Sequence, residues 1–556
     1  MADTNDLVFV ALGGLGEIGM NCALYGYGTK RRRDWIMVDL GVSFAGDDLP
    51  GVDLIMPDLS FIERIKGDLK AIIITHAHED HIGALVDLWP KLKAPVYATP
   101  FAVGLLEARR MGEPGAPKIP LKTVRQGESV DVGPFNVEFI AVAHSIPESC
   151  ALAIRSPAGL VVHTGDWKID HTPGVGTPTN EARLKALGDE GVLALICDST
   201  NVTREGESPS EADVEKSLVE IIGKAKGRML VTTFASNVAR LRSAALAGIA
   251  NGRQVMILGR AMERVVGVAR ELGYLEGLPA FLGQDSFDRI PRNQVLALAT
   301  GSQGEPRAAL ARIADESHPS AKLGAGDTVI FSSRAIPGNE KPINNIINGL
   351  VSQGVEVITD RTKLVHVSGH PRRAELAKMY AWVRPKIAVP AHGEPLHLTE
   401  HVAFAKAQGV PSVARAFNGD MVRLSPEEGA VMMDSIPHGK VYKDGDILLA
   451  TDDPCVAERR KLSLAGVISI AIAVSDKGDV VGDPDVTYSG LPKRSRDGAD
   501  IAALIDGAMF ETLDGLPRTK RRDANLVSGA VERAVRNAVN NAWGKKPLVH
   551  VLVIEA

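Results

Sequence analysis

Three histidines and an aspartate crowd into six positions, His76-Ala-His78-Glu-Asp80-His81. Imidazole nitrogens and carboxylate oxygens at alternating and adjacent places on a loop can turn toward two neighbouring metal ions. One face of a strand could not arrange all four. Desolvating such groups together without a metal would be costly. The chemistry implied is metal-assisted hydrolysis, in which two ions roughly 3.5–4 Å apart share an activated water and stabilise an in-line displacement. Nitrogen and oxygen donors suit Zn²⁺ and tolerate Mn²⁺, so donor type leaves the metal open.

The run follows a short apolar stretch at 71–74, and the same context marks further candidates. His144 follows Ala141-Val-Ala, Asp166 closes Val161-Val-His-Thr-Gly-Asp166, and His392 follows Ala388-Val-Pro-Ala. Asp39 ends Met37-Val-Asp39 with no second ligand type nearby, which suits a residue that holds a ligand from behind. Apolar runs at 7–12, 35–38, 71–74, 137–142, 160–162 and 192–196 alternate with polar loops and predict buried strands. From Ser210 the texture changes. Ser210-Glu-Ala-Asp reads as a helix cap before 214–224, and strands at 229–232, 255–258 and 295–298 alternate with helical segments, as in a doubly wound α/β domain. A β-rich texture is expected to resume near Leu364. After Leu449 a separate module is expected, with strands at 465–470 and 548–554 and a helical stretch at 525–542.

Gly14-Leu-Gly16-Glu-Ile-Gly19 fits a dinucleotide fingerprint, with Asp39 at the spacing of a ribose ligand. That fingerprint requires a helix straight after the glycines. The residues that follow, Asn21-Cys-Ala-Leu-Tyr-Gly26-Tyr-Gly28, are β-prone and broken by glycines, so a hairpin is expected, with its tight turn under the active site. The net charge of −5 argues only weakly against a nucleic-acid partner, since metals in a carboxylate-rich site restore positive charge where a phosphate sits. Basic clusters occur at 30–33, 372–373, 493–494 and 518–522. The four cysteines are dispersed, the amino terminus lacks a basic leader, and no apolar run is of bilayer length. A cytoplasmic protein without a membrane partner is expected.

The H-x-H-x-D-H run with a distant His, Asp and His resembles the metallo-β-lactamase superfamily. The long insertion between Asp166 and His392 resembles that of its β-CASP group of nucleic-acid-processing enzymes. Further runs narrow the likeness: Cys197-Asp198-Ser-Thr-Asn201, Phe234-Ala-Ser-Asn237, Thr300-Gly-Ser-Gln-Gly-Glu-Pro306, Ile336-Pro-Gly-Asn-Glu340, His366-Val-Ser-Gly-His370 and Pro390-Ala-His-Gly-Glu394. With them the chain is similar to the bacterial ribonuclease J family from nearly end to end. The resemblance implies an α/β fold: an αββα metallo-β-lactamase sandwich in residues 1–205 and 361–448, with an inserted α/β β-CASP domain at 206–360. A linker at 449–460 and a small α+β C-terminal domain at 461–556 would follow.

The same resemblance implies roles for residues. His76, His78 and His144 would bind one divalent ion, Asp80, His81 and His392 a second, and Asp166 would bridge them. Asp80, Asp198 and His366 are the implied catalytic residues, the last two as the family's motifs A and B, positioning the phosphate or passing a proton to the leaving 3′ oxygen. Ser236, Asn237 and the run His366, Val367, Ser368, Gly369, His370 would receive a 5′-terminal nucleotide and its monophosphate, with Gly369 letting backbone N–H groups approach the anion. The implied activity is a 5′→3′ exoribonuclease that prefers 5′-monophosphorylated single-stranded RNA and also cuts internally, serving RNA processing and mRNA decay. Its implied assembly is a homodimer or homotetramer, with partners in an RNA-degradation complex. A DNA-directed nuclease or a small-ester hydrolase on the same fold is the alternative. Three places depart from the family pattern. Ala239 stands where many relatives carry histidine, Pro371-Arg-Arg-Ala-Glu375 replaces Gly-Ser-Gln-Glu-Glu, and Ser333-Arg-Ala335 replaces a more serine-rich stretch. Arg334, Arg372 and Arg373 there are candidates for added phosphate contacts.

Overall fold

The computed structural model describes residues 5–336 and 338–556. Residues 1–4, on which the reading of the amino terminus rests, and Pro337 of the run at 336–340 lie outside the described residues.

Alternating burial builds the sandwich. In the strand Asp6–Gly13, Leu7, Phe9 and Ala11 enter a central core, while Val8 and Val10 are buried on the opposite face, as a period of two requires. An eight-stranded sheet carries Asp6–Gly13, Cys22–Thr29, Arg32–Val38 and Leu69–Ile73 side by side at its centre. A seven-stranded sheet places Ile387–Ala391, Val192–Asp198, Gly159–His163, Cys150–Ser156 and Phe135–Ala141 in that order. Phe139, Leu152, Ile154 and Val161 of the second sheet share one core with Tyr25, Ile36 and Ile73 of the first. Helices Glu181–Glu190, Arg373–Val383 and Pro395–Ala407 cover the second sheet's other face through Leu184, Leu187, Leu376, Met379 and Ala405. Helices Leu85–Leu92 and Pro100–Gly112 likewise bury Leu85, Leu88, Phe101 and Leu106. Strand Arg32–Val38 runs parallel to Leu69–Ile73, and Gly159–His163, Val192–Asp198 and Ile387–Ala391 run parallel to one another. Their carboxyl ends therefore deliver Asp39, His76, Asp166, Asp198 and His392 to one edge of the sandwich.

The glycine run behaves as a turn. Asp6–Gly13 pairs antiparallel with Cys22–Thr29, and Gly14, Gly16 and Gly19 between them have φ of 89°, 93° and 95°, a region open chiefly to glycine. The Gly16 N–H donates to the Gly393 carbonyl at 2.9 Å, tying this turn to the loop that carries His392. No helix follows the glycines, which removes the dinucleotide reading.

A five-stranded, wholly parallel sheet is inserted, in the order Gln254–Leu258, Val295–Ala299, Met229–Thr232, Thr328–Phe331, Glu356–Ile358. Its first helix, Glu211–Lys224, starts at a capping box in which Ser210 Oγ accepts the Asp213 N–H at 3.1 Å. The β-rich texture expected from Leu364 is not found at once. Helix Arg373–Val383 comes first, because Leu376, Met379, Tyr380 and Val383 repeat at helical rather than strand spacing.

A second compact unit comprises Phe44–Leu54 and Tyr442–Ala556. The residues expected to be a linker, 449–460, contain the end of strand Ile447–Ala450 and the start of helix Pro454–Ala465, whose cap Asp453 accepts from the Cys455 N–H at 2.9 Å. The three-stranded sheet Asp485–Ser489, Val467–Val474, Leu548–Glu555 shares a core with helices Ile501–Gly515 and Ala524–Trp543. Val527, Val531, Val535 and Val539 form the buried stripe of the long helix, each contributing roughly 1.5–3 kcal/mol relative to exposure. Among the described residues no helix is long and apolar enough to cross a membrane, and Cys22, Cys150 and Cys197 are buried and unpaired.

Candidate metal centre

The site is built outward from Asp39. This residue ends its strand in a left-handed conformation (φ 62°), uncommon outside glycine, and its N–H donates to the Ile73 carbonyl at 2.8 Å. Its carboxylate accepts from the Thr75 N–H and hydroxyl, both at 2.8 Å, and from His81 Nδ1 at 2.7 Å. With Nδ1 held, His81 turns Nε2 toward the aspartates, 3.6 Å from Asp80 and 3.3 Å from Asp166. Asp39 thus stands behind His81, holding its outer nitrogen. Asn21, which no spacing signal marks, closes the same corner: its Nδ2 lies 3.0 Å from His81 Nε2 and 3.1 Å from the Asp80 carbonyl.

Three nitrogens converge beside this corner. His78 Nδ1 lies 3.0 Å from His76 Nε2 and 3.1 Å from His144 Nε2. The outer nitrogens are occupied, His76 Nδ1 by the Thr75 hydroxyl at 3.0 Å and His144 Nδ1 by the Gly369 carbonyl at 2.7 Å. A single ring nitrogen cannot satisfy two partners by donating to both. A cation fits better, since bonds of about 2.0–2.1 Å in a tetrahedron put ligand nitrogens about 3.3 Å apart. Burial and the neighbouring imidazoles hold His76 and His144 well below the usual histidine range, and burial brings His78 down to about 4. These lone pairs are free at neutral pH, the form a metal needs.

The second group is acidic. Asp80, His81, Asp166 and His392 bring ligand atoms within 4.8 Å of one another, and Asp166 belongs to both groups. Asp80 Oδ2 lies 3.3 Å from His392 Nε2, and Asp166 Oδ1 lies 3.3 Å from His392 Nδ1. Burial opposes charge on both histidines, yet Asp166, Asp80 and Asp39 hold His81 well above its ordinary pKa, and Asp166, Asp198 and Asp80 push His392 up to about 10. An ion entering here must displace protons, whereas one entering the three-histidine group need not. The two groups therefore predict different pH responses. Affinity at the second is expected to rise about tenfold per pH unit for each proton released, up to the raised pKa values, while the first stays flat above its lowered ones. Calorimetric titration with Zn²⁺ between pH 6 and 8, in buffers of different ionisation enthalpy, measures both.

A third group adds Asp198 and His370 to Asp166 and His392. Asp198 ends the strand Val192–Asp198, and its Oδ2 lies 2.7 Å from His370 Nδ1. Burial disfavours charge on His370, but Asp198 and Asp166 raise its pKa. His366, expected as a catalytic residue, belongs to none of these groups. Ser332 Oγ and Arg240 both donate to the Val365 carbonyl, at 2.6 and 2.8 Å, and pin that end of the run to the inserted domain. Asn201 Nδ2 donates to Ser368 Oγ and the His370 carbonyl, at 2.8 and 3.1 Å, drawing the other end to the converging ligand atoms. His366 is left among Arg240, Arg334 and Lys168, its Nδ1 buried without a hydrogen-bond partner among the described residues.

Other expected substrate contacts divide similarly. A Cβ at Gly369 would meet His144 Nδ1 at 2.5 Å, so the glycine is required by the close-packed His144 ring, and its carbonyl rather than its N–H is engaged. Val367 is buried. Asn237 is buried as the cap of helix Val238–Ala250, its Oδ1 accepting the Arg240 N–H at 3.0 Å, with Ser236 partly exposed beside it. Ala239 is buried in that helix. Arg373 is tied to the Val202 carbonyl and Glu400 and stacks on Phe404, which makes it a packing residue, not a free phosphate contact. Arg372 keeps a buried Nε without a partner among the described residues. Partial burial and the charges of Arg334 and Arg372 pull Arg204 below the usual arginine range.

Residues 19–196 match the family profile described as Metallo-beta-lactamase superfamily and residues 226–350 the Ribonuclease J beta-CASP domain. Residues 354–414 match the Zn-dependent metallo-hydrolase RNA specificity domain and residues 454–556 the Ribonuclease J C-terminal domain. The chain is 53% identical over 553 residues to Ribonuclease J of Sinorhizobium meliloti, covering 100% of this chain and 98% of the relative. It is 37% identical to Ribonuclease J of Mycolicibacterium smegmatis, over 98% of this chain and 96% of the relative. A crystal structure of a protein of unknown function from Enterococcus faecalis V583 shares the fold, with a TM-score of 0.52 and 15% identity, over 76% of this chain and all of that one. By sequence over its full length and by the profiles matched along it, the chain belongs to the ribonuclease J family, within the β-CASP group of the metallo-β-lactamase superfamily.

Proposed function

We propose that this chain hydrolyses single-stranded RNA with two bound divalent ions, most fittingly Zn²⁺ with Mn²⁺ as an alternative. It would work 5′→3′ from a 5′-monophosphorylated end and also cut internally. The observation that carries the reading is the 2.7 Å contact of His144 Nδ1 with the Gly369 carbonyl. It fastens the run expected to receive the 5′ nucleotide to a residue expected to bind metal, so an end seated on that run brings the next phosphodiester to the centre. His76, His78 and His144 would hold one ion, Asp80, His81 and His392 the other, and Asp166 both. The ions would supply Lewis acidity and the activation of water.

The protein's own groups do the rest. His370, whose pKa Asp198 raises against the effect of burial, would donate a proton to the departing 3′ oxygen. Asp198 holds that ring and is itself fixed by the Thr200 N–H at 2.8 Å. Arg204, Arg334 and Arg372 bring positive charge to the flank of the run, which favours phosphates despite the acidic total. A cytoplasmic setting, a homodimer or homotetramer, and partners in RNA decay complete the reading.

The test uses one RNA carrying a 5′ label, as monophosphate or triphosphate, with Zn²⁺ or Mn²⁺. The expected first labelled product from the monophosphorylated RNA is a mononucleotide, formed several-fold faster than from the triphosphorylated one. Failure to degrade either RNA overturns the nuclease reading, and labelled products only of oligonucleotide length overturn the exonuclease direction.

A further inference from the structure

Behind residues 198–201 runs a chain of buried polar groups that neither metal nor RNA would touch. Ser199 Oγ lies 2.8 Å from His401 Nδ1, and His401 Nε2 lies 2.9 Å from the Tyr380 hydroxyl. Ser199 and His401 have 0% exposure and Tyr380 4%. Burial pushes His401 down to about 4, so at neutral pH it carries one N–H and one lone pair. It donates at one end and accepts at the other, and its tautomer sets which way the chain runs.

The loop it holds is a hub. Four consecutive residues address three different segments: Asp198 reaches His370, Thr200 Oγ1 lies 3.0 Å from His392 Nδ1, and Asn201 holds Ser368 and the His370 carbonyl. Only Ser199 points away from the site, toward helices Arg373–Val383 and Pro395–Ala407, which carry Tyr380 and His401. Packing alone does not ask for this. The His401 ring sits against Tyr380 and Phe404, centroids 5.8 and 6.3 Å away, and an apolar ring there would leave fewer buried groups to satisfy.

We propose that His401 is a positioning residue: through Ser199 it fixes the loop that sets the spacing between His370, which faces the scissile bond, and His392, which faces the ions. It rests on the nuclease reading of that site. Tyr380 supplies the far anchor.

The test uses the full chain loaded with metal. His401→Phe keeps the volume and removes both hydrogen bonds, Ser199→Ala removes the near link, and His401→Gln restores polar ends. Expected for His401→Phe is a fall in kcat of about 10- to 100-fold with KM within about twofold. Ser199→Ala should fall similarly, the double variant no further than either single one, and His401→Gln should recover most of the loss. Metal content should be unchanged, and amide exchange at 198–201 should speed up. Additive losses, a KM effect with kcat intact, or unchanged exchange overturn the proposal. If His401→Phe does not fold, Ser199→Ala and Tyr380→Phe carry the same comparison. A wild-type chain that fails to cut RNA overturns the nuclease reading, and exchange then decides the relay alone. A wild type that cuts RNA no faster than His401→Phe overturns only the relay.

Discussion

Replacing Asp166 with asparagine is expected to lower RNA cleavage by at least about 10³-fold and to strip metal from the purified chain. Asp166 is the only residue common to all three groups of converging ligand atoms, and it is almost fully buried. One oxygen faces His81 at 3.3 Å and the other His392 Nδ1 at 3.3 Å, while His76 and His144 stand at 3.8 and 3.7 Å. Burial alone would favour its neutral form, yet the surrounding histidines hold it well below the usual carboxylate range. An amide there keeps the volume and loses the charge that offsets two cations in a dry site. Metal analysis and initial rates on the same preparation check this. An Asp166→Asn chain that keeps its full metal content and more than a tenth of wild-type activity would remove Asp166 from the bridging role.

Much of this centre is legible in the sequence because its donors sit at strand ends. Apolar runs of fixed period place the strands, and the polar residue just past each run reaches the same edge, as with Asp39, His144, Asp166 and His392. The hairpin is legible because Gly26 and Gly28 deny a helix its start. What resists reading is set by contacts between distant segments. His366 and His370 have the same local context, and Arg240, Ser332, Asn201 and Asp198, up to 172 positions away, decide which one joins the converging ligand atoms. The pair Ser199 and His401, separated by 202 positions, has no spacing signal at all. The second compact unit takes in Phe44–Leu54 from far upstream, which a boundary drawn by composition cannot anticipate.

The distinction between the two histidines carries the second large effect. His370→Ala is expected to reduce kcat by about 10²- to 10⁴-fold, the range for loss of a positioned proton donor, while leaving metal content and KM nearly unchanged. The ring's Nδ1 is held by Asp198 at 2.7 Å, which leaves Nε2 as the nitrogen to act on substrate in the proposed reaction. His370 also packs edge-on against His144 and tilted against His392, with centroids 5.1 and 5.4 Å away, so alanine opens a small space without unseating either ligand from its own outer hydrogen bond. His366→Ala should behave differently. Its ring stands among Arg240, Arg334 and Lys168, away from the converging ligand atoms, so its removal should leave cleavage of a preformed internal site intact and weaken only the preference for a 5′ phosphate. Measuring kcat and KM for both variants, on a 5′-monophosphorylated RNA and on a circular RNA with no end, separates the roles. If His366→Ala loses activity on the circle as severely as His370→Ala, proton donation must be reassigned to His366. A loss confined to the end-bearing substrate instead divides the run His366-Val-Ser-Gly-His370 into a part that senses the terminus and a part that serves the chemistry.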